Sequence, residues 1–288
     1  MHKILFGDNQ FFGVNHMSEE KARQQSMRFR DVASIIKVID SAYSAGIKVF
    51  MCTTHDLIEE VCNHVRNNPR QYADFEFYPC LPYAHKYNDA VTEEGLMGGL
   101  KKFVGGNVIE FIIRGGVALT QADMIGMMKL LIDAELRMFK GLKTPVIFLQ
   151  NVLTDLLLGL GFKAVIKDFA EYIQERYQAE PGFITMNLPM LCAVLEEYNI
   201  KRPIVCTNIN KIGFRMCGGK DAYEQILRTK KVRCIAMSIF ASGAIPPKVA
   251  IEYACQLDGV DSIVFGASSE GHINETLNLI EGYWGKGN

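Results

Sequence analysis

Carboxyl, imidazole and amide side chains recur along this chain just after short apolar runs. Asp8-Asn9-Gln10 comes first, with His16 close behind; Thr53-Thr54-His55-Asp56 comes second; Tyr83 and His85 come third. Gln150-Asn151, Asn187 and Thr207-Asn208 follow later runs, and Ser238, Gly266, Ser268 and Ser269 close the series. Imidazole titrates near neutral pH, so His16 and His55 are candidates for general acid–base work with Asp8, Asp56 and Gln150. Asn9, Gln10, Tyr83, His85, Asn151, Asn187, Thr207 and Asn208 carry the donors and acceptors that orient a small polar substrate. The same imidazoles with Asp8 or Asp56 could instead ligate a divalent metal, although neither H-x-H nor H-E-x-x-H occurs. The small-residue turn Gly266-Ala267-Ser268-Ser269 suits a phosphate or other anion, because a turn feeding a helix amino terminus presents N–H groups to it. No G-x-G-x-x-G or G-x-x-x-x-G-K-[ST] loop is present. Each position also has a plainer reading, since Asn, Asp, Ser and Thr are the ordinary cap and turn residues of such loops.

Eight short β-rich runs place these groups: Lys3–Phe6, Lys48–Cys52, Phe75–Leu81, Val146–Gln150, Phe183–Asn187, Ile204–Thr207, Cys234–Ser238 and Ser262–Gly266. Most are apolar throughout, as strands covered on both faces must be. Amphipathic stretches alternate with them. Asp31 can cap a helix whose stripe is Val32, Ile35, Ile36, Ile39, Ala42 and Tyr43, with Gly46 as its stop. Further helices are expected over Leu57–Val65, Asp123–Lys140, Phe162–Tyr177, Met190–Tyr198, Asp221–Arg228, Pro247–Gln256 and Ile273–Tyr283. Alternation of this kind predicts one α/β domain over 1–288, a (β/α)8 TIM barrel. Residues from roughly 88 to 120, including the ambiguous run Val108–Ile113, are expected to form a helical insertion before strand four. The charged stretch from Glu19 to Arg30 suits a solvated helix or a lid beside His16. In such a barrel the polar groups at the strands' carboxyl ends share one rim.

Composition narrows the function classes. Lys plus Arg total 31 and Asp plus Glu 32, for a net charge of −1. That balance offers no general attraction to nucleic acid or to acidic membrane surfaces. No apolar run is long enough to span a bilayer, and the segment from Met1 to Asp8 is too short and too polar for a signal peptide. The eight cysteines are scattered without a C-x-x-C and several sit in apolar runs, which fits buried thiols in a reducing compartment. A cytoplasmic protein with a small-molecule partner is expected; the oligomeric state is left open.

Several segments resemble the aldo/keto reductase family. Ala236-Met237-Ser238-Ile239-Phe240-Ala241-Ser242-Gly243 resembles its strand-seven A-Y-S-P-L-A-x-G, and Ser262 to Glu275 resembles its last strand and helix, I-x-G-A-S-x-x-E-H-L-x-E-N. Ala45-Gly46-Ile47-Lys48-Val49-Phe50 is similar to the lead into its second strand, and Asn187 stands where the family has S-N. The resemblance implies the barrel fold, and NADP as a cofactor held by Ser238, Gly266, Ser268 and Ser269. It does not carry over the family's Asp-Tyr-Lys-His tetrad. The Asp position falls on Met51, the Tyr near Asp56, the Lys around Cys80 and the His on Gln150. Met237 stands where an aromatic residue stacks on nicotinamide, and Thr276 where the family's terminal Asn lies. Methionine cannot relay a proton and an amide cannot replace imidazole as an acid. The first expectation is therefore an enzyme of unusual type acting on a small polar metabolite, phosphorylated or not. The alternatives are an NADP-dependent oxidoreductase with a different acid, a metal-dependent lyase or hydrolase, and a barrel that binds ligand without catalysis.

Overall fold

The structure is a computed structural model that describes residues 1–13, 19–83 and 121–285. The expected insertion at 88–120 lies outside the described residues, as do His16 and His85. Eight parallel strands close into a barrel in chain order: β1 Ile4–Gly7, β2 Val49–Cys52, β3 Glu76–Leu81, β4 Val146–Leu149, β5 Glu180–Thr185, β6 Ile204–Asn208, β7 Arg233–Met237 and β8 Val260–Phe265. Pairing of β1 with β8, Phe6 against Phe265, shuts the cylinder.

Strand residues alternate between the barrel interior and the helices outside it. Leu5, Val49, Met51, Tyr78, Cys80, Val146, Phe148, Ile184, Ile204, Cys206 and Ile235 fill the interior as one apolar cluster. On the outer face the register sets Phe265, Phe6, Phe50 and Phe77 side by side across four neighbouring strands. Their rings meet at tilted and edge-on angles, with centroids 6.0–6.4 Å apart. Such contacts add about 0.5–1.5 kcal/mol per pair beyond the area they bury.

Helices cover that outer face: α1 Glu19–Arg28, α2 Val32–Ser44, α3 Asp56–Asn67, α4 Gln121–Glu135, α5 Asn151–Leu160, α6 Lys163–Tyr177, α7 Leu188–Glu197, α8 Lys220–Arg228, α9 Pro247–Gln256 and α10 Glu270–Trp284. Asp31 caps α2 as its sequence predicts, accepting 2.8 Å from the Ser34 amide. Ile35, Val38, Ile39 and Ala42 form the buried stripe of α2. No helix among the described residues is long and apolar enough to cross a membrane.

Three boundaries differ from expectation, each for a local reason. Strand β5 begins at Glu180 and ends at Thr185, so Asn187 lies beyond the strand. Pro181-Gly182 looks like a turn, yet both residues pair with β4. Gly182 is needed there because the Phe148 ring lies against it; a Cβ would sit 2.4 Å from that ring. Helix α5 is a second surprise, inserted between β4 and α6 by a largely apolar run whose polar residues Asn151, Thr154 and Asp155 stand at i, i+3 and i+4. It turns Gln150-Asn151 from a strand end into the entry of a helix. Third, α4 stops at Glu135 and the chain continues as a 3-10 turn, Leu136–Phe139, rather than as one helix to Lys140.

Candidate active site

Asp8 follows the last residue of β1 and opens the 3-10 turn Asn9–Phe11. The turn is fixed by Phe11, which is buried among Phe6, Phe29 and Phe50. Because β1 pairs with β2, Asp8 meets the first residues past that strand. One of its oxygens, Oδ2, accepts from both the amide and the hydroxyl of Thr53, each at 2.7 Å. Asp8 is only 5% exposed. Burial holds its carboxyl above the usual carboxylate range, and the two Thr53 bonds oppose that rise without cancelling it. Its charge is felt by the buried thiols of Cys52 and Cys80, which places it over the β2–β3 side of the interior.

The next two loops stand beside it. His55 caps α3 through Nδ1, which accepts from the Leu57 amide at 3.1 Å. A neutral ring bonded in this way carries its proton on Nε2. Phe12 stacks on that ring with centroids 4.1 Å apart, and Tyr83 meets it edge-on at 6.1 Å. Asp56 is exposed in the first turn of α3, where a carboxylate favours the helix dipole.

Sequence reading did not anticipate Glu135, at the carboxyl end of α4. Its buried carboxylate accepts 2.5 Å from the Thr54 hydroxyl and 3.0 Å from the Tyr83 amide. One side chain thus ties the loops on either side of His55. Its only sequence signal is an acid near the end of the apolar run Leu130-Leu131-Ile132.

The far side of the rim is built differently. Gln150 is buried at the entry of α5, its backbone N–H donating to the Leu81 carbonyl, and Asn151 is half-buried in the first turn. Asp155, also on α5, accepts from the Thr185 hydroxyl and from the Met186 amide, and burial raises its carboxyl too. Asn187 caps α7 by accepting from Met190 at 3.2 Å. Thr207 is fully buried and donates to the Thr185 carbonyl. Asn208 gives its amide to the Arg215 carbonyl at 2.7 Å, pinning the loop after β6. Asn187 and Asn208 thus brace a helix start and a loop, while Thr207 joins the ends of β6 and β5. After β7, Ser238, Ala241 and Ser242 all adopt left-handed backbone.

At the β8–α10 turn, Ser269 caps the helix by accepting from His272 at 3.4 Å, and Glu270 occupies the first turn. Ser268 is half-buried beside it. Gln10 reaches across from the β1 turn: Nε2 donates to the Gly7 carbonyl at 2.8 Å, and Oε1 is buried against Gly266. Asn9, next to it, is exposed.

Among the described residues no three His, Cys, Asp or Glu side chains gather to hold a metal ion. All eight cysteines are free, and five of them are buried. Burial pushes the half-buried thiols of Cys192 and Cys255 up to about 12. A groove of about 580 Å3 opens between α7 and α8, lined by Cys192, Leu195, Ile200, Ile226 and Val232. It lies beside the amino ends of β6 and β7, away from Asp8, where barrel residues serve stability.

No family model matches the sequence, and no curated protein matches it. Solved structures do match in fold. A Pseudomonas aeruginosa protein assigned to the aldo-keto reductases is 11% identical, with 98% of this chain and 90% of that chain covered and a TM-score of 0.60. The aldose reductase of Giardia lamblia is likewise 11% identical, covering 97% of this chain and 87% of its own, with a TM-score of 0.54. A third neighbour, solved in complex with NADPH, is 9% identical, with 96% and 83% covered and a TM-score of 0.53. The fold is thus the barrel of the aldo-keto reductases. In this chain the β8–α10 turn does not fit a dinucleotide phosphate: Gln10 fills the space over Gly266, and Glu270 brings negative charge.

Proposed function

We propose that this aldo-keto reductase-like barrel is an enzyme acting on a small polar metabolite at the carboxyl-end rim, with Asp8 as its acid–base group. The observation that carries this reading is the buried Asp8 carboxyl, held in one orientation by Thr53 and shifted upward by burial. A carboxyl raised toward neutrality exchanges protons with substrate most effectively. His55 supports the same chemistry. Its Nδ1 is committed to the α3 cap, which fixes the ring on the rim, where an imidazole stabilises charge that develops on a substrate oxygen. Phe12 and Tyr83 hold the ring in place. A substrate with a carbonyl or hydroxyl between Asp8 and His55 would lose or gain a proton at the adjacent carbon or oxygen.

The test is solvent-deuterium incorporation into a panel of small oxo- and hydroxy-compounds, read by mass spectrometry. The wild-type chain should label at least one compound, and Asp8→Asn should abolish labelling while keeping the melting temperature near that of the wild type. Labelling that survives Asp8→Asn would remove Asp8 from the chemistry. Ligand-induced stabilisation without labelling across the panel would instead favour a binding barrel.

A further inference from the structure

Gln10 is the residue in the β8–α10 corner whose hydrogen bonding is incomplete. Its Nε2 is committed to the Gly7 carbonyl, so the amide cannot flip and Oε1 must face Gly266. Gln10 is 6% exposed, and its Oε1 is the single buried side-chain nitrogen or oxygen without a partner among the described residues. A buried acceptor without a donor is costly and calls for an explanation. A Cβ built on Gly266 would come within 1.9 Å of that oxygen, so the carbonyl fills the space that glycine leaves open.

We infer that Gln10 seals the turn before α10 against phosphate groups, so that this barrel does not hold a nicotinamide dinucleotide there. A helix amino terminus behind a small-residue turn is ordinarily a ready anion site. Four features cancel it here. The Gln10 carbonyl is an acceptor, which cannot pair with a phosphate oxygen and occupies its place. Glu270 sets a carboxylate in the first turn and takes up the favourable dipole. Residues 266–275 include two glutamates and one histidine but neither Lys nor Arg, so no fixed positive charge in the turn offsets a phosphate. The His272 amide already donates to the Ser269 oxygen at 3.4 Å, so that N–H is taken from an anion. The inference concerns the β1–β8 corner and stands apart from the acid–base reading of Asp8 and Thr53.

Melting temperature with inorganic phosphate and with NADPH, together with NADPH fluorescence, tests it. Wild-type protein should show no shift and no fluorescence change. The double variant Gln10→Ala/Glu270→Gln, checked for fold by circular dichroism, should gain phosphate-dependent stabilisation and bind NADPH about tenfold tighter. Wild-type NADPH binding that phosphate competes away would overturn the inference, and so would a folded double variant that gains nothing. A second measurement does not depend on ligand. Gly266→Ala should lower the melting temperature in the wild type and do so less in a Gln10→Ala background; equal losses in both would show that Gln10 does not fill the corner.

Discussion

The Oδ2 atom of Asp8 lies 2.7 Å from both the amide and the hydroxyl of Thr53, so one carboxyl oxygen clamps the ends of the first two strands together. The next residue, Thr54, is held from the other direction by Glu135 at 2.5 Å. Consecutive threonines thus carry two buried acids drawn from separate elements, and His55 follows directly. This is how the barrel fixes the carboxyl of Asp8 at the rim.

Asp8 makes stability depend on pH in a definite direction. Its carboxyl is raised in the folded chain, so its contribution is fully present below the unfolded value of about 3.9 and fades as pH rises through the folded value. Asp155 acts in the same sense. Subtracting the melting curve of Asp8→Asn from that of the wild type should leave a difference that falls as pH climbs above about 4. A difference that grows with pH over that range would show the carboxyl to be lowered instead.

His55 combines a structural cap with a ring in the site, and two substitutions separate the roles. His55→Ala should cost about 0.5–2 kcal/mol, the usual loss of a cap acceptor. His55→Asn keeps an acceptor for the Leu57 amide and should retain most of that stability. Catalysed deuterium exchange should fall by about 10²-fold or more in both variants. Normal exchange in His55→Asn would confine the residue to capping.

Glu135 should be felt through what it leaves behind. Glu135→Ala strands the Tyr83 amide and the Thr54 hydroxyl in a buried place, at about 1–3 kcal/mol for each unsatisfied group. Glu135→Gln keeps a carbonyl acceptor and should lose much less. Chemical denaturation of the two variants measures the contrast; equal losses would mean that packing rather than hydrogen bonding is at stake.

Gly182→Ala drives a methyl to within 2.4 Å of the Phe148 ring, inside a closed interior layer. Overpacking of this kind costs about 1–3 kcal/mol. Phe148→Leu in the same chain should recover part of it, since the two positions face one another across β4 and β5. Additive losses in the double variant would place the strain elsewhere.

What the sequence determined by itself was periodic or local. The eight strands stand where the apolar runs lie, and Asp31, Pro247 and Ser269 begin helices as their types require, because caps and alternation act over a few residues. The resemblance to aldo/keto reductases agrees with the barrel, though the fold comparisons speak for the fold alone. The strand-end positions of Asp8 and His55 were legible for the same reason. What only the tertiary structure decided was pairwise and distant. Thr54 and Glu135 are 81 residues apart, and Gln10 meets Gly266 across the closing seam of the cylinder. No local pattern encodes such contacts; they exist because closing the sheet brings its first and last strands together and sets helix ends over the rim. The difference between polar groups that bond strand ends and loops, such as Thr207 and Asn208, and a buried carboxyl at the rim, such as Asp8, has the same origin. A threonine or an amide is the same in the chain wherever it stands, and only its neighbours in space decide whether its hydrogen bonds are already spent.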